Sequence, residues 1–207
     1  NESAVGLDLL LDPENDADIG LRDRESLAHF ANIHDLARLS WDGSQGPEAV
    51  AQRRQPVYQF GAATVAPPPN AFLQPSEEGE RAIVSEAMRA LAGANRIADL
   101  YAGCGTLTFP FASIAPTYAF ESDPEMIATI HRAAGSYPVT ASVRDLALMP
   151  LTASELSEFD AVVFDPPRTG AKSQAVTLAA TDVPVVVAVS CNPATLARDL
   201  RLLVDGG

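Results

Sequence analysis

A cysteine stands between an apolar run and a helix-start signal in the last part of the chain. Cys191 follows the run Val185–Val189 and precedes Asn192 and Pro193, two residue types that commonly begin helices. The free amide groups and positive dipole of a helix amino terminus favour a thiolate, which is the nucleophilic form of cysteine. The pattern predicts a nucleophile at Cys191. A small cysteine buried at the end of a core strand is the alternative interpretation.

A short glycine motif and an acidic residue form a second group. Gly103 and Gly105 allow a tight turn in which the backbone can approach a ligand closely. Glu121 ends the next predicted strand, where its carboxylate can accept hydrogen bonds from ribose hydroxyls. The combination predicts a site for a cofactor that contains adenosine. Pyrophosphate binding is less favoured, because Thr108 stands where a dinucleotide fingerprint has a glycine.

Two further carboxylates follow predicted strands. Pro166 and Pro167 restrict the backbone directly after Asp165, so that its carboxylate is held in place to grip a planar base or to orient a reacting group. A purely structural turn is the alternative interpretation of this segment. Asp145 is predicted to accept a hydrogen bond from the adenine amine, and an exposed loop carboxylate is an equally supported alternative.

An alternation of helices and strands from Ser76 onward must position these residues. Apolar residues at helical spacing predict a helix that ends near Leu91, and apolar runs predict strands at 96–101, 117–120, 139–143, 159–164 and 183–190. Such a series predicts a parallel sheet covered by helices, in which ligands bind at the carboxyl ends of the strands. The polar residues at these strand ends either occur there by chance, since strands often end in polar residues, or form one site. In the second case, one sheet edge carries the candidate residues Tyr101, Glu121, Asp145, Asp165 and Cys191.

Residues 1–69 are predicted to form a separate small α/β unit, followed by a larger domain at 70–207. The smaller unit has a strand at 5–11, an acidic loop at 12–18, an amphipathic helix at 21–36 with Leu27, Phe30 and Ile33, a loop after Trp41 and a strand at 57–65. Pro67, Pro68 and Pro69 predict an extended linker between the two parts.

Composition excludes several classes of protein. The 207 residues, of which 47% are hydrophobic and 20% charged, suffice for a substantial core and a smaller unit. No apolar run approaches the roughly 20 residues of a membrane span and no leader peptide is recognisable, so we expect a cytoplasmic protein without a membrane partner. Two cysteines and three histidines without ligand spacing predict no disulfide framework and no metal.

The charge of the chain limits its partners. A formal net charge of −13 argues against a broadly basic nucleic-acid surface, since such binding depends on neutralisation of phosphates by Lys and Arg. Any contact with RNA is therefore expected to be local or to come from another part of the protein. We expect no DNA partner, and nothing in the sequence indicates an obligate protein partner.

Four segments together resemble the SAM-dependent RNA 5-methyluridine methyltransferases. They are Asn70–Gln74, Asp99–Thr108, Asp165–Gly170 and Ser190–Asp199. The last two are specific as a pair, whereas the first two occur in other methyltransferases as well. The resemblance implies a Rossmann-like class I methyltransferase sheet, S-adenosyl-L-methionine (SAM) as cofactor and a uridine of tRNA or rRNA as substrate.

The resemblance also implies roles for individual residues. Cys191 would add to carbon 6 of the uracil ring as the catalytic nucleophile, with Asp165 beside it as a second catalytic residue. The pocket for SAM and the target base would be lined by Gln74, Tyr101, Thr106, Glu121, Asp145 and Asp165, with Gly103 and Gly105 in the cofactor loop.

The chain also departs from the family's pattern. It ends at Gly207, before the final strand pair in which the family carries its glutamate base, so we expect that pair to be missing from this sequence. An amino-terminal RNA-binding barrel and an iron–sulfur cysteine cluster are absent from it as well, and Ala102 replaces a common cysteine. A methyltransferase of another substrate with a structural Cys191, or a non-catalytic SAM- or RNA-binding fragment, remain alternatives. An adduct with 5-fluorouracil RNA distinguishes the first from the main hypothesis, and a glutamate-bearing strand pair beyond Gly207 the second.

Overall fold

A computed structural model of the protein describes residues 2–13 and 17–206. Contacts between Cα atoms divide the chain into two compact units, one formed by Asn1–Gln59 and Thr64–Leu73 and the other by Phe60–Ala63 and Gln74–Gly207. Among the described residues, no helix is long and apolar enough to cross a membrane. Part of the predicted acidic loop at 12–18, residues 14–16, lies outside the described residues.

The first unit is built on a four-stranded sheet. Its elements are β1 (Glu2–Ser3), β2 (Gly6–Leu11), α1 (Leu21–Ile33), β3 (Arg38–Gly43) and β4 (Gly46–Gln52), with the strands in the order β1-β2-β3-β4. The pair β2–β3 is parallel and is connected through α1, whereas β1–β2 and β3–β4 are antiparallel. A small core of Ala31, Leu36 and Leu39 fills the space between helix and sheet.

The prediction of a loop after Trp41 is wrong, because residues 38–52 form a β-hairpin. The glycines and Ser44 that suggested a loop make only the turn between β3 and β4. Pro47 lies within β4, which is an edge strand of the sheet, and a proline is tolerated there because one side of the strand needs no hydrogen-bond donor.

Two further predictions for this part of the chain need correction. The single strand at 57–65 is two short strands, β5 (Tyr58–Phe60) and β6 (Ala63–Val65), because Gly61 adopts a positive φ of 60° and turns the chain. In α1, Phe30 and Ile33 are 43% and 63% exposed. Leu27 packs against the core of this unit as predicted, together with the small residue Ala31, which hydrophobic spacing did not single out.

The second unit contains a five-stranded parallel sheet flanked by helices. In chain order its elements are α2 (Glu77–Ala90), β7 (Ile97–Leu100), α3 (Thr108–Ala112), β8 (Thr117–Glu121), α4 (Pro124–Ala134), β9 (Val139–Val143), α5 (Ala153–Leu156), β10 (Ala161–Phe164), α6 (Lys172–Leu178), β11 (Val185–Ala188) and α7 (Pro193–Gly206). The strand order is β11-β10-β7-β8-β9, which is the order of a doubly wound sheet. The predicted Rossmann-like fold is confirmed.

Hydrophobic residues cover both faces of this sheet. One core cluster includes Ala98, Leu100, Val162 and Phe164, and the other includes Ile97, Val163 and Leu91 at the end of α2. Strands β7 and β10 are buried at every position, as expected for central strands of a parallel sheet. Successive strands are added on one side of β7 and then on the other, and a crevice opens at the carboxyl ends of the strands where the strand order reverses.

A buried ion pair stabilises the first unit. The Arg38 guanidinium donates to both carboxylate oxygens of Asp8, from Nε to Oδ1 at 2.8 Å and from Nη2 to Oδ2 at 2.6 Å, and to the carbonyl of Pro67 at 3.0 Å. The side chains are only 3% and 8% exposed. Removal of one partner of such a pair is costly, because the other charge stays in a medium of low polarity.

We therefore expect Arg38→Leu to lower the free energy of unfolding of this unit by about 3–5 kcal/mol. Urea titration followed by the fluorescence of Trp41, the one tryptophan of the sequence, measures the change within the same unit. Arg24→Leu is the matched control, because the Arg24–Glu48 pair is exposed and exposed ion pairs contribute little to stability. Equal losses in the two variants would contradict this prediction.

Candidate functional site

The register of the parallel strands aligns the residues that follow them. Leu100 on β7 pairs with Phe164 on β10 and with Phe120 on β8. Hydrogen bonds continue past these pairs, from the Asp165 amide to the Leu100 carbonyl at 3.3 Å and from the Ala102 amide to the Phe120 carbonyl at 3.1 Å. The residues directly beyond this row, Tyr101, Glu121 and Asp165, therefore lie at one sheet edge.

The glycine loop leaves β7 with an unusual backbone. Tyr101 has a positive φ of 62°, and Gly103 and Gly105 have φ values of 54° and 96°. A Cβ on Gly103 would meet nothing within 4 Å, whereas one on Gly105 would lie 2.7 Å from the Phe109 ring. The loop is thus packed against α3 at Gly105 and open at Gly103, where a ligand can approach the backbone.

Glu121 is joined to this loop by a hydrogen bond. Its Oε2 accepts from the Gly103 amide at 3.0 Å, and its Oε1 accepts from the Ser122 and Asp123 amides at 2.6 and 3.1 Å. The carboxylate is half-buried. The Ser122 hydroxyl also donates to Oε1, at 2.8 Å. The position of the carboxylate is therefore fixed before any ligand binds, and Oε2 keeps a further lone pair for a hydroxyl donor.

The other predicted site residues differ in whether they contact one another at this sheet edge. Gln74 approaches Asp165, with 3.5 Å between Nε2 and Oδ2. Asp145 Oδ1 accepts from the amides of Ala147 and Leu148 at 2.9 and 3.1 Å, so this oxygen holds its own loop. Thr106 is half-buried within the glycine loop.

Cys191 is exposed, three positions beyond the end of β11. Asn192 caps the following helix as predicted, because its Oδ1 accepts from the Ala194 amide at 3.1 Å and its carbonyl accepts from the Leu196 amide at 3.0 Å. Pro193 is the first residue of α7. In the part of the chain that the structure describes, the thiol lies at the surface and not in the core. The second cysteine, Cys104, is buried, and burial raises the pKa of its thiol to about 11.

Negative charge is concentrated at this sheet edge. Burial, together with the smaller effect of the carboxylates of Asp199, Asp145 and Glu121, raises the pKa of Tyr101 to about 12. Burial also raises the pKa of Asp165 above its usual range. The phenol of Tyr101 therefore stays neutral near neutral pH, and the surrounding carboxylates favour a ligand that carries positive charge.

Asp99 is a site feature to which the sequence analysis assigned no role. It lies on the fully buried strand β7, and its Oδ2 accepts from the Thr108 hydroxyl at 2.6 Å. Its Oδ1 is buried without a hydrogen-bond partner among the described residues. The signal that could have identified it is a carboxylate inside an otherwise apolar run, since such groups are rarely buried without a specific reason.

The ionisation of Asp99 links the site to stability. Burial and, to a smaller extent, the charges of Asp165 and Glu121 raise its pKa, the Thr108 hydrogen bond lowers it, and the net result is a pKa of about 7. The neutral form is thus favoured in the folded chain. Its contribution to stability is fully present below the unfolded pKa of 3.8 and is lost as the pH rises through about 7.

We expect the free energy of unfolding of Asp99→Asn, which is neutral at every pH, to increase relative to that of the wild type between pH 5 and pH 8. The gain in free energy of unfolding at pH 8 should be roughly 1–3 kcal/mol, the scale of an unpaired buried polar group. Thermal unfolding followed by circular dichroism at both pH values measures this difference. The exposed Asp182 provides the control Asp182→Asn, which should follow the wild type. A difference between Asp99→Asn and wild type that is independent of pH would refute the assignment.

Comparison with known proteins identifies a family that this chain matches. The profile of the tRNA (Uracil-5-)-methyltransferase family matches residues 64–206. An RNA methyltransferase of Mesorhizobium japonicum without an assigned role is 44% identical over 193 residues, which are 91% of this chain and 46% of that protein. The 23S rRNA (uracil(1939)-C(5))-methyltransferase RlmD of Chromohalobacter salexigens is 37% identical over 67% of this chain and 30% of its own length.

A solved structure has the same fold. The tRNA (uracil-54, C5)-methyltransferase of Pyrococcus abyssi, in complex with S-adenosyl-L-homocysteine, superimposes with a TM-score of 0.69 at 22% identity over 84% of this chain and 46% of that chain. The chain spans about half the length of the curated relatives that match most of it.

Proposed function

Because the chain belongs to the tRNA (uracil-5-)-methyltransferase family, we propose that it transfers a methyl group from SAM to carbon 5 of a uridine in RNA. The transfer uses a covalent adduct between Cys191 and carbon 6 of the uracil ring. The observation that carries the proposal is the placement of an exposed cysteine at the same strand ends as the glycine loop and Asp165.

The cofactor site fits the chemistry of SAM. Open space beside Gly103 allows an adenosine to approach the loop backbone, and Glu121 is fixed where its carboxylate can accept from ribose hydroxyls. The carboxylates around Tyr101 favour a cation, which agrees with a sulfonium and ammonium ligand. SAM, when bound, supplies an electrophilic methyl group for the reaction.

A nucleophilic thiol is needed because carbon 5 of uracil is itself a poor nucleophile. The Cys191 thiolate adds to carbon 6, and the electron pair of the 5,6 double bond moves toward the carbonyl oxygen at carbon 4. Carbon 5 of the resulting enolate is nucleophilic. After carbon 5 has gained its methyl group, loss of its proton to a base restores the double bond and expels the Cys191 thiolate.

Asp165 and Gln74 are suited to holding the base during these steps. The two side chains approach each other beside β10, and together they offer amide donors and acceptor oxygens to the polar edge of a uracil ring. The prolines after Asp165 restrict its backbone. A base in this position must be turned out of its RNA stack, and single-stranded or loop nucleotides allow this at the least cost.

RNA contact in this part of the chain is proposed to be local. The formal net charge is −13, so phosphate neutralisation must come from a few arginines or from other parts of the protein. Mass mapping of tRNA and rRNA from a deletion strain identifies the modified molecule, because 5-methyluridine disappears from one position in the absence of the enzyme.

We expect Glu121→Ala to weaken SAM binding by roughly 1–3 kcal/mol, the scale of hydrogen bonds to a charged group. Isothermal titration calorimetry of the full-length protein measures the change for SAM and for its demethylated product. Glu125→Ala is the matched control, since Glu125 is an exposed carboxylate at the start of the neighbouring helix. An unchanged affinity in the Glu121 variant would remove Glu121 from the cofactor site.

Cys191→Ala in the full-length protein should abolish methylation and retain SAM binding, because the proposed cofactor residues belong to other strand ends. Cys191→Ser should restore little activity, since a hydroxyl near neutral pH supplies almost no anion for addition to uracil. RNA that contains 5-fluorouridine should trap the wild-type protein as a covalent adduct, visible as a gel shift and a mass increase.

The adduct experiment also tests the alternatives. Cys104→Ala should still form the adduct, because Cys104 is a buried thiol. Methylation by Cys191→Ala at a rate near that of the wild type, or an adduct at another residue, would show that the covalent mechanism is wrong. Binding of SAM without any adduct or methylation in the wild-type protein would instead support a non-catalytic role.

A further inference from the structure

The turn that follows β10 is hydrogen-bonded to the helix that follows Cys191. The Arg168 carbonyl accepts from Asn192 Nδ2 at 3.0 Å and from the Thr195 hydroxyl at 3.3 Å. One turn further along the helix, Arg198 Nη2 donates to the Thr169 carbonyl at 3.0 Å. Side chains at these spacings share one helix face. That face of α7 is therefore directed at the backbone of the turn 165–170.

The far end of this contact is a buried carboxylate. Asp199 is 1% exposed. Its Oδ2 accepts from the Ala171 amide at 2.7 Å, and its Oδ1 accepts from Arg198 Nε at 2.8 Å. Burial of a charged group is tolerated only with such partners. The pair formed by Arg198 and Asp199 thus joins the end of the turn to the helix by charge-assisted hydrogen bonds.

Gly170 is required for this approach. It has a positive φ of 81°, and a Cβ at this position would lie 2.6 Å from Asp199 Oδ2 and would collide with the Arg198 guanidinium. The Gly170 amide also donates to the Pro167 carbonyl at 2.8 Å and closes the turn. The turn is consequently held at both ends, by the sheet at Asp165 and by α7 at its carbonyl and amide groups.

We propose that Asn192, Thr195 and the Arg198–Asp199 pair form a helix–turn clamp that positions Cys191 relative to Asp165. This inference rests on the proposed function. Cys191 directly precedes Asn192, and Ser190 on its other side accepts from the Asn192 amide at 3.1 Å. A shift of α7 against the turn would therefore move the thiol relative to the carboxylate. The clamp residues touch neither substrate nor cofactor in this scheme, so they are positioning residues.

The consequence is a separation between binding and reaction. Covalent addition requires the thiol and carbon 6 of the uracil ring to meet in a narrow range of distance and angle, and small misplacements reduce the rate strongly. SAM binding depends on the glycine loop and Glu121, which belong to β7 and β8. Loss of the hydrogen bonds that Asn192 and Thr195 donate to the turn should therefore slow addition to carbon 6. The affinity for SAM should stay the same, because the Asp199 charge near Tyr101 is retained.

The test uses a double variant, Asn192→Ser with Thr195→Val, in the full-length protein. Serine caps helices well, so the start of α7 is kept, and valine retains the shape of threonine. Both hydrogen bonds to the Arg168 carbonyl are lost. We expect adduct formation with 5-fluorouridine RNA, and kcat, to fall at least tenfold, with the KM and calorimetric Kd for SAM within twofold of the wild type.

Two further variants distinguish positioning from stability. Thr195→Ser keeps the hydroxyl and should restore most of the rate that Thr195→Val loses. Asp205→Asn breaks the exposed pair of Arg201 and Asp205 on the same helix, and it should leave both rates unchanged. Melting temperatures of all variants are measured in parallel.

Each outcome separates this inference from the proposed function. If the wild type forms no adduct, the proposed function fails. If the wild type forms the adduct and the double variant forms it at the same rate, the clamp does not position Cys191, while the proposed function stands. Parallel losses of melting temperature, SAM affinity and adduct formation would show a structural contact only, and would likewise overturn the inference.

Discussion

Backbone hydrogen bonds of the parallel sheet continue past the ends of β7 and β10, from the Ala102 amide to Phe120 on β8 and from the Asp165 amide to Leu100 on β7, and the rest of the site depends on this register. A parallel ladder fixes each strand against its neighbour along its length, so a residue that follows one strand has a defined position relative to the next. Strands β7 and β10 are buried on both faces, so slippage would expose apolar side chains. Core packing therefore supplies the accuracy that Tyr101, Glu121 and Asp165 need.

Electrostatics sets a second condition on the same edge. Several carboxylates approach one another there, and burial together with mutual repulsion raises the pKa of Asp99 to about 7. Such an arrangement opposes folding above that pH, and a cationic ligand relieves part of the repulsion. The carboxylates at this edge therefore destabilise the free protein but attract the positively charged groups of SAM, which is the cofactor that we propose. The same charge does not attract RNA, so the RNA recognition that we propose must use other groups.

Rigidity around the proposed nucleophile comes from three local devices. The prolines after Asp165 limit backbone freedom, Gly170 lets the turn approach α7 closely, and Asn192 both caps the helix and bonds to the turn. Each device reduces the number of arrangements that Cys191 and Asp165 can adopt before substrate arrives. Preorganisation of this kind would lower the entropic barrier to the covalent addition that we propose.

The sequence by itself determined the class of fold and most of the candidate site. Apolar runs of strand length and helical spacing identify the elements of the second unit, and residue types at strand ends identify Glu121, Asp165 and Cys191, because these patterns depend on neighbours along the chain. The sequence did not predict the hairpin at 38–52, because its turn residues and Pro47 indicated a loop. Pro47 is compatible with a strand only because β4 lies at the edge of the sheet. Sequence patterns also gave no role to Asp99 or Asp199. Only the tertiary structure decided those, because burial and hydrogen bonds to residues such as Ala171 depend on groups that are distant in the chain.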